Sequence, residues 1–256
     1  MTNGIISRRN FLKLSALGLT LTALPGSITG YSLTLTELNL GLGKRILFLP
    51  DMHLHGGDRE YLVGLVDGVK PDLLVLGGDM WDMLSKELDS ITGDIERISE
   101  GAKRSIAVLG NHEYNASARG SHPLDDGIEA LEDMGIYVLV DESMELEGLR
   151  IGGLDWKDDP RDYEYSSKKL GHVDIVISHS PDSARHVVQR DALILSGHTH
   201  GGQVCLPGSI SIITNSHYGF KWGWYKVRGN VMYVSRGVGE MIPPRIYCER
   251  EAVLVS

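Results

Sequence analysis

"KRILFLPDMHLH", residues 44–55, joins a short apolar run to a tail of Asp and His. A run of this length, closed by Pro50, reads as a buried β-strand. The polar residues that follow it are Asp51 and His53. On its own, an Asp-x-His after a strand is an ordinary turn with a surface imidazole. The same ending recurs along the chain, however. "DLLVLG" (72–77) is followed by Gly78, Asp79 and Asp82, and "SIAVLG" (105–110) by Asn111, His112 and Glu113. "VDIVIS" (173–178) leads to His179, and "ALILS" (192–196) opens into "GHTHGGQV", with His198 and His200. Independent turns have no reason to repeat one chemistry five times, so these residues are expected to meet.

Between the runs lie amphipathic stretches at 59–69, 86–100 and 123–135, which predict helices and an α/β domain. Another strand is predicted at 151–156. Towards the C-terminus, "SISIIT", "NVMYVS" and "EAVLVS" predict strands with no helix between them. In α/β sheets the carboxyl edge of the strands is where ligands bind. If extended geometry persists past each strand, the period of two places Asp51 with His53, and His198 with His200, on one side.

Asp, Asn and His offer oxygen and imidazole donors without thiolate, a set suited to Mn, Fe or Zn. Seven candidates, Asp51, His53, Asp79, Asn111, His179, His198 and His200, exceed one tetrahedral ion and fit two ions sharing a carboxylate. Two divalent ions ~3.5–4 Å apart can bind a phosphoryl group, generate hydroxide at neutral pH and stabilise both oxygens of an in-line displacement.

In order, "DMH", "GDMWD", "GNHE", a separate strand-end His and "GHTH" resemble the five blocks of the calcineurin-like metallophosphoesterases, over about residues 44–256. The resemblance implies a four-layer α/β/β/α sandwich, two mixed β-sheets face to face with helices outside. It implies that Asp51, His53 and His200 hold one metal, that Asn111, His179 and His198 hold the other, and that Asp79 bridges them. His112 would stabilise the transition state or protonate the leaving oxygen, while Asp82 and Glu113 would orient their neighbours. Gly78, Gly110 and Gly197 would let backbone approach the pocket. The endings "GHTHGGQVCLPG" and "YVSRGVGEMIPPRIYC" resemble an exported phosphodiesterase-type branch, some of whose members cleave the pyrophosphate of UDP-2,3-diacylglucosamine. That branch usually continues Cys-Pro-Pro-Glu; here the chain reads Cys248-Glu249-Arg250-Glu251.

The chain has 256 residues, 42% of them hydrophobic and 23% charged, as expected for a globular protein. A net charge of −9 argues against a nucleic-acid partner, which needs a basic footprint. Cys205 and Cys248 suit neither a disulfide-dense scaffold nor a thiolate zinc site; two buried thiols are expected, with a single bridge between them as the alternative. "SRRNFLK" (7–13), followed by an apolar stretch to about Ile28, resembles a twin-arginine signal, which implies the twin-arginine export machinery as a partner and an extracytoplasmic location. The stretch is too short to span a bilayer. With no clean Ala-x-Ala site, a membrane-tethered form stays open. The expected organisation is a signal segment over 1–30 and a catalytic domain over 31–256. Without residues 1–30 the chain keeps 22 basic and 34 acidic side chains.

Three residues are candidates for substrate contact: His55 in "DMHLHGG", Arg119 beyond "GNHEY" and Arg236 after a strand. His122 shares the loop of Arg119. In "YGFKWGWYKV" (218–227), Phe220, Trp222 and Trp224 would face one side of a strand, packing in the core or forming a platform for lipid or base. The expected activity is hydrolysis of phosphodiesters or pyrophosphates, on a small or lipid- or nucleotide-linked phosphoester. The alternatives are a phosphomonoesterase and a non-catalytic metal-binding scaffold of the same fold.

Overall fold

The computed structural model describes residues 32–56, 59–146 and 148–256, so the signal-like segment lies outside the described residues. One six-stranded sheet contains, in spatial order, β1 (Leu33–Leu38), β14 (Arg250–Val255), β2 (Ile46–Leu49), β3 (Leu73–Gly77), β4 (Ser105–Val108) and β5 (Ile136–Val138). Strands β2 to β5 run parallel, and β14 lies antiparallel to β2. The second sheet contains β12 (Gly223–Val227), β13 (Asn230–Val234), β9 (Leu193–Ser196), β8 (Ile175–Ser178), β7 (Leu149–Leu154) and β6 (Glu142–Leu146). Its four central strands are parallel, with antiparallel strands at both edges.

Alternation along the strands assigns the layers. Ile46 and Phe48 of β2 face the second sheet, where they meet a core containing Ile175, Ile177, Leu193 and Leu195. Leu47 and Leu49 point the other way, onto helices α1 (Glu60–Val69), α2 (Leu88–Ser99), α3 (Asn111–Ala118) and α4 (Leu124–Asp133). Helix α2 shows why: Ile91, Ile95 and Ile98 recur at helical spacing and are all buried. The outer face of the second sheet is covered more thinly, by α5 (Tyr163–Lys169), short 3₁₀ turns and Phe220. The result is the expected four-layer sandwich. No described helix is long and apolar enough to cross a membrane.

Several local expectations need correcting. "SISIIT" contributes only Ile210–Ser211 (β11), which pairs with Cys205–Leu206 (β10) in a small hairpin. The strand predicted through 218–227 begins only at Gly223, so the three aromatic rings do not share a face. Phe220 is buried, Trp222 lies 5.0 Å from the Arg236 guanidinium, and Trp224 is exposed and packs edge-on against Tyr233. Cys205 and Cys248 are both free and buried.

Candidate metal centre

All five polar tails converge at the carboxyl ends of their strands, where the two sheets meet. Strands β2, β3 and β4 supply Asp51, His53, Asp79, Asn111 and His112 from one sheet. Strands β8 and β9 supply His179, His198 and His200 from the other. Extended geometry does not continue beyond the strands. Five of the seven candidate ligands, Asp51, His53, Asp79, His198 and His200, have left-handed backbone with φ between 44° and 70°. Each such non-glycine residue costs ~1–3 kcal/mol and persists only where its surroundings over-determine it. The inward aim of these side chains thus comes from five tight bends.

Two donor groups result. Asp51, His53, Asp79 and His200 form one, and Asp79, His179 and His198 the other, with Asp79 common to both. His53 Nε2 and His200 Nε2 are 3.3 Å apart, and His200 Nε2 is 3.6 Å from Asp51 Oδ1. Asp79 Oδ2 lies 3.8 Å from His53 Nε2 and 3.1 Å from His179 Nε2. Ligands ~2.0–2.1 Å from a tetrahedral ion stand about 3.3 Å from one another, so these spacings match donors facing a common ion. A buried atom offers a further test of fit. Asn111 Oδ1 has no hydrogen-bond partner among the described residues, and buried polar atoms rarely remain so. The residues present fit two divalent ions.

Neighbouring groups fix which imidazole nitrogen is free. His53 Nδ1 donates to Asp82 Oδ2 at 2.8 Å, leaving Nε2 for the centre. His179 Nδ1 donates to the Gly77 carbonyl at 2.9 Å with the same effect. Orientation by a carboxylate or carbonyl in this way is characteristic of metal-binding histidines. Asp51 accepts the His198 N–H, locking the fourth bend onto the first. Glu113, wholly buried, accepts the N–H groups of Gly110, Asp79 and Met80 and so holds the tails of β3 and β4 together. Replacing it by Ala leaves those donors without an acceptor. We expect Glu113→Ala to destabilise the fold by roughly 2–4 kcal/mol, seen as a lower urea midpoint. Gly110 is required by space: a Cβ there would stand 2.2 Å from Asp79 Oδ1.

Electrostatics follow from seven polar groups buried together. Burial, reinforced by Asp79, raises Asp51 to about 6. Burial opposes charge on His179, but the Asp79 carboxylate outweighs it and holds this histidine up at about 10. Burial lowers His198 to about 3 and takes His200 well below its ordinary value, keeping both neutral. Burial also lowers His112. Without metal at neutral pH, His179 is therefore protonated and must lose that proton to ligate; below about pH 6, Asp51 must lose one as well. Burial opposes charge on His53 as well, but the Asp82, Asp79 and Asp51 carboxylates outweigh it and raise this histidine. Apparent metal affinity should therefore fall as pH falls, by at least ~10-fold per unit between pH 8 and 6.5 and more steeply below about 6. Calorimetry of Mn²⁺ or Zn²⁺ binding in buffers of different ionisation heat would show the released protons; affinity independent of pH from 5 to 8 would contradict this charge arrangement.

The structure separates the remaining sequence candidates. His112 borders the pocket, its N–H bonded to Asp79 Oδ1 and its Nε2 4.0 Å from Asp79 Oδ2. His55 lies on Asp82, 3.0 Å from Oδ2, beside the His53 contact. Arg119 is exposed at the far end of α3, about 12 Å along the helix from Asn111 and outside the pocket lining. Arg236 is buried in an ion pair with Glu251. His122 faces the Ser85 carbonyl. Two contributors carried no sequence signal. The Trp156 ring covers His198 and His179 at centroid distances of 5.1 and 6.0 Å. The buried Arg245 guanidinium backs His200, with Nη2 3.1 Å from Nδ1.

Two mixed sheets with a carboxylate–imidazole cage at the strand ends define a metal-binding hydrolase of the phosphoesterase type. Residues 44–202 match the model of the calcineurin-like phosphoesterase family, and the chain belongs to that family. It is 32% identical over 243 residues to an uncharacterized metallophosphoesterase of Aquifex aeolicus, covering 88% of this chain and 89% of that one. It is 28% identical over 234 residues to phosphodiesterase YaeI of Escherichia coli, covering 83% and 81%. A solved structure with 13% identity superposes with a TM-score of 0.50, over 77% of this chain and 91% of that one, a likeness of fold alone. The family acts on phosphoric esters and typically binds two divalent metals.

Proposed function

We propose that the protein hydrolyses phosphodiesters or pyrophosphates with two divalent ions, of Mn, Fe or Zn, and that it works outside the cytoplasm after twin-arginine export. The observation carrying the reading is Asp79 Oδ2, which stands between the two donor groups and within 4.0 Å of His53, His112 and His179. Asp51, His53 and His200 would hold one ion, Asn111, His179 and His198 the other, with Asp79 shared. Bound there, the ions supply Lewis-acid stabilisation of phosphoryl oxygens and an activated water.

The chain's own contribution is positioning. His112 reaches the pocket with a side chain 20% exposed and, being neutral, can donate one hydrogen bond to a phosphoryl or leaving oxygen. An arriving phosphate would raise its proton affinity and favour proton donation as the ester bond breaks. Besides the cage, the pocket is lined by Gln203, Asn215, Met241 and Ile242. Among the described residues no Lys or Arg lines it to meet the second charge of a monoester, and the apolar pair suits a second ester substituent. This favours diesters, in keeping with the 28%-identical relative named a phosphodiesterase. After metal loading, bis-p-nitrophenyl phosphate should be cleaved at least about tenfold faster, by kcat/KM, than the mono-ester; the reverse order would establish a monoesterase. No turnover of either by fully metallated protein would point to a scaffold. The export reading rests on Arg8, Arg9 and the apolar stretch after them. Retention of residues 1–30 would tether the domain to the membrane.

A further inference from the structure

Five exposed large apolar side chains lie on segments that flank or line the pocket. Leu206 (49% exposed), Ile210 (59%), Ile212 and Ile213 lie on the β10–β11 hairpin and the loop after it, between the pocket residues Gln203 and Asn215, and Ile242 (62%) lines the pocket itself. Trp222 Nε1 donates to the Ser209 carbonyl, tying the hairpin to β12. Contiguous exposed apolar surface of this kind marks a site of protein or membrane contact.

Two further observations choose the occupant. None of the 34 Asp and Glu residues lies between positions 192 and 239, so the hairpin and the loop after it carry no carboxylate of their own in a chain of net charge −9. An anionic lipid surface would repel the rest of the protein and not this sector. The second is topological. Leu33 pairs with Arg250 in parallel, and β14 pairs with β2 in antiparallel register, Val253 opposite Phe48. Leu33 therefore lies at the sheet edge where β2 ends and Asp51 follows, with the 237–239 segment hydrogen-bonded between β14 and the β2 tail. The chain before it, uncharged over positions 14–28, enters the described domain at the edge that carries the pocket.

We propose that this apolar surface seats the pocket mouth on a phospholipid bilayer, so that the enzyme meets a phosphoester held in or on the membrane. The docking surface stands independently of the hydrolytic reading; the substrate class rests on it. The test is the full-length protein carrying Ser209→Cys labelled with an environment-sensitive nitrobenzoxadiazole dye, mixed with 3:1 phosphatidylethanolamine–phosphatidylglycerol vesicles. A second protein labelled at His172→Cys, on the opposite edge before β8, serves as the reference. Emission from position 209 should rise at least twofold and shift to the blue, while position 172 does not respond. Leu206→Glu with Ile210→Glu should abolish that response and leave bis-p-nitrophenyl phosphate hydrolysis within twofold, since neither residue lines the pocket. Protein that stays in solution, or binds vesicles with position 209 unresponsive, overturns the proposal. So does a shift that appears without vesicles and grows with protein concentration, which would make the face a contact between two copies. The dye response is read without turnover, so failure of the hydrolytic reading would leave it intact.

Discussion

Asp79→Ala should abolish turnover, with kcat/KM down by at least ~10³-fold, and should strip both ions rather than one. A shared Lewis-acid centre supplies several kcal/mol of transition-state stabilisation, which sets that scale. Asp79 is the one residue common to both donor groups, so its loss weakens each. The substitution also frees the His112 N–H and removes the charge that keeps His179 protonated in the metal-free protein. Metal analysis by mass spectrometry beside steady-state kinetics decides the matter. A variant that keeps two ions per chain and more than about a tenth of the activity would show that Asp79 is not the bridge.

His112→Ala separates chemistry from metal retention. The His112 ring belongs to neither donor group, although its backbone N–H contributes to holding Asp79. The N–H survives in the variant. Metal content should therefore remain, while kcat falls by ~10²–10⁴-fold, the range for a lost proton donor or transition-state hydrogen bond. The loss should be smaller for a substrate whose leaving group is a good one and needs no proton, such as p-nitrophenolate, than for an alkyl ester. Activity falling only in proportion to lost metal would reduce His112 to a structural residue.

The strand-end blocks were legible because the chain writes each ligand directly after an apolar run, a local signal. The two-sheet sandwich followed from the resemblance those blocks carry, and the structure shows it. What stayed hidden is non-local or backbone-borne. Arg245 reaches His200 across 45 positions, and Trp156 covers two imidazoles from a loop after β7. Neither has a local pattern. The left-handed bends at Asp51 and His198 cannot be read from residue type, since glycine is the usual occupant of that region. Strand β1, "LTLTEL", is only partly buried and gains its place by pairing with the far C-terminal strand. Helix α5, "YEYSSKK", has no apolar period to announce it.

The centre draws its candidate ligands from both sheets, across a seam otherwise closed by apolar packing. Ions seated there would act as rivets joining the halves of the sandwich, and their binding energy would add to the cost of pulling the layers apart. Loading would then govern how long the molecule endures as well as how fast it turns over. An enzyme that sheds its metal in a scarce environment would become easier for proteases to open, and the idle fraction would be cleared first.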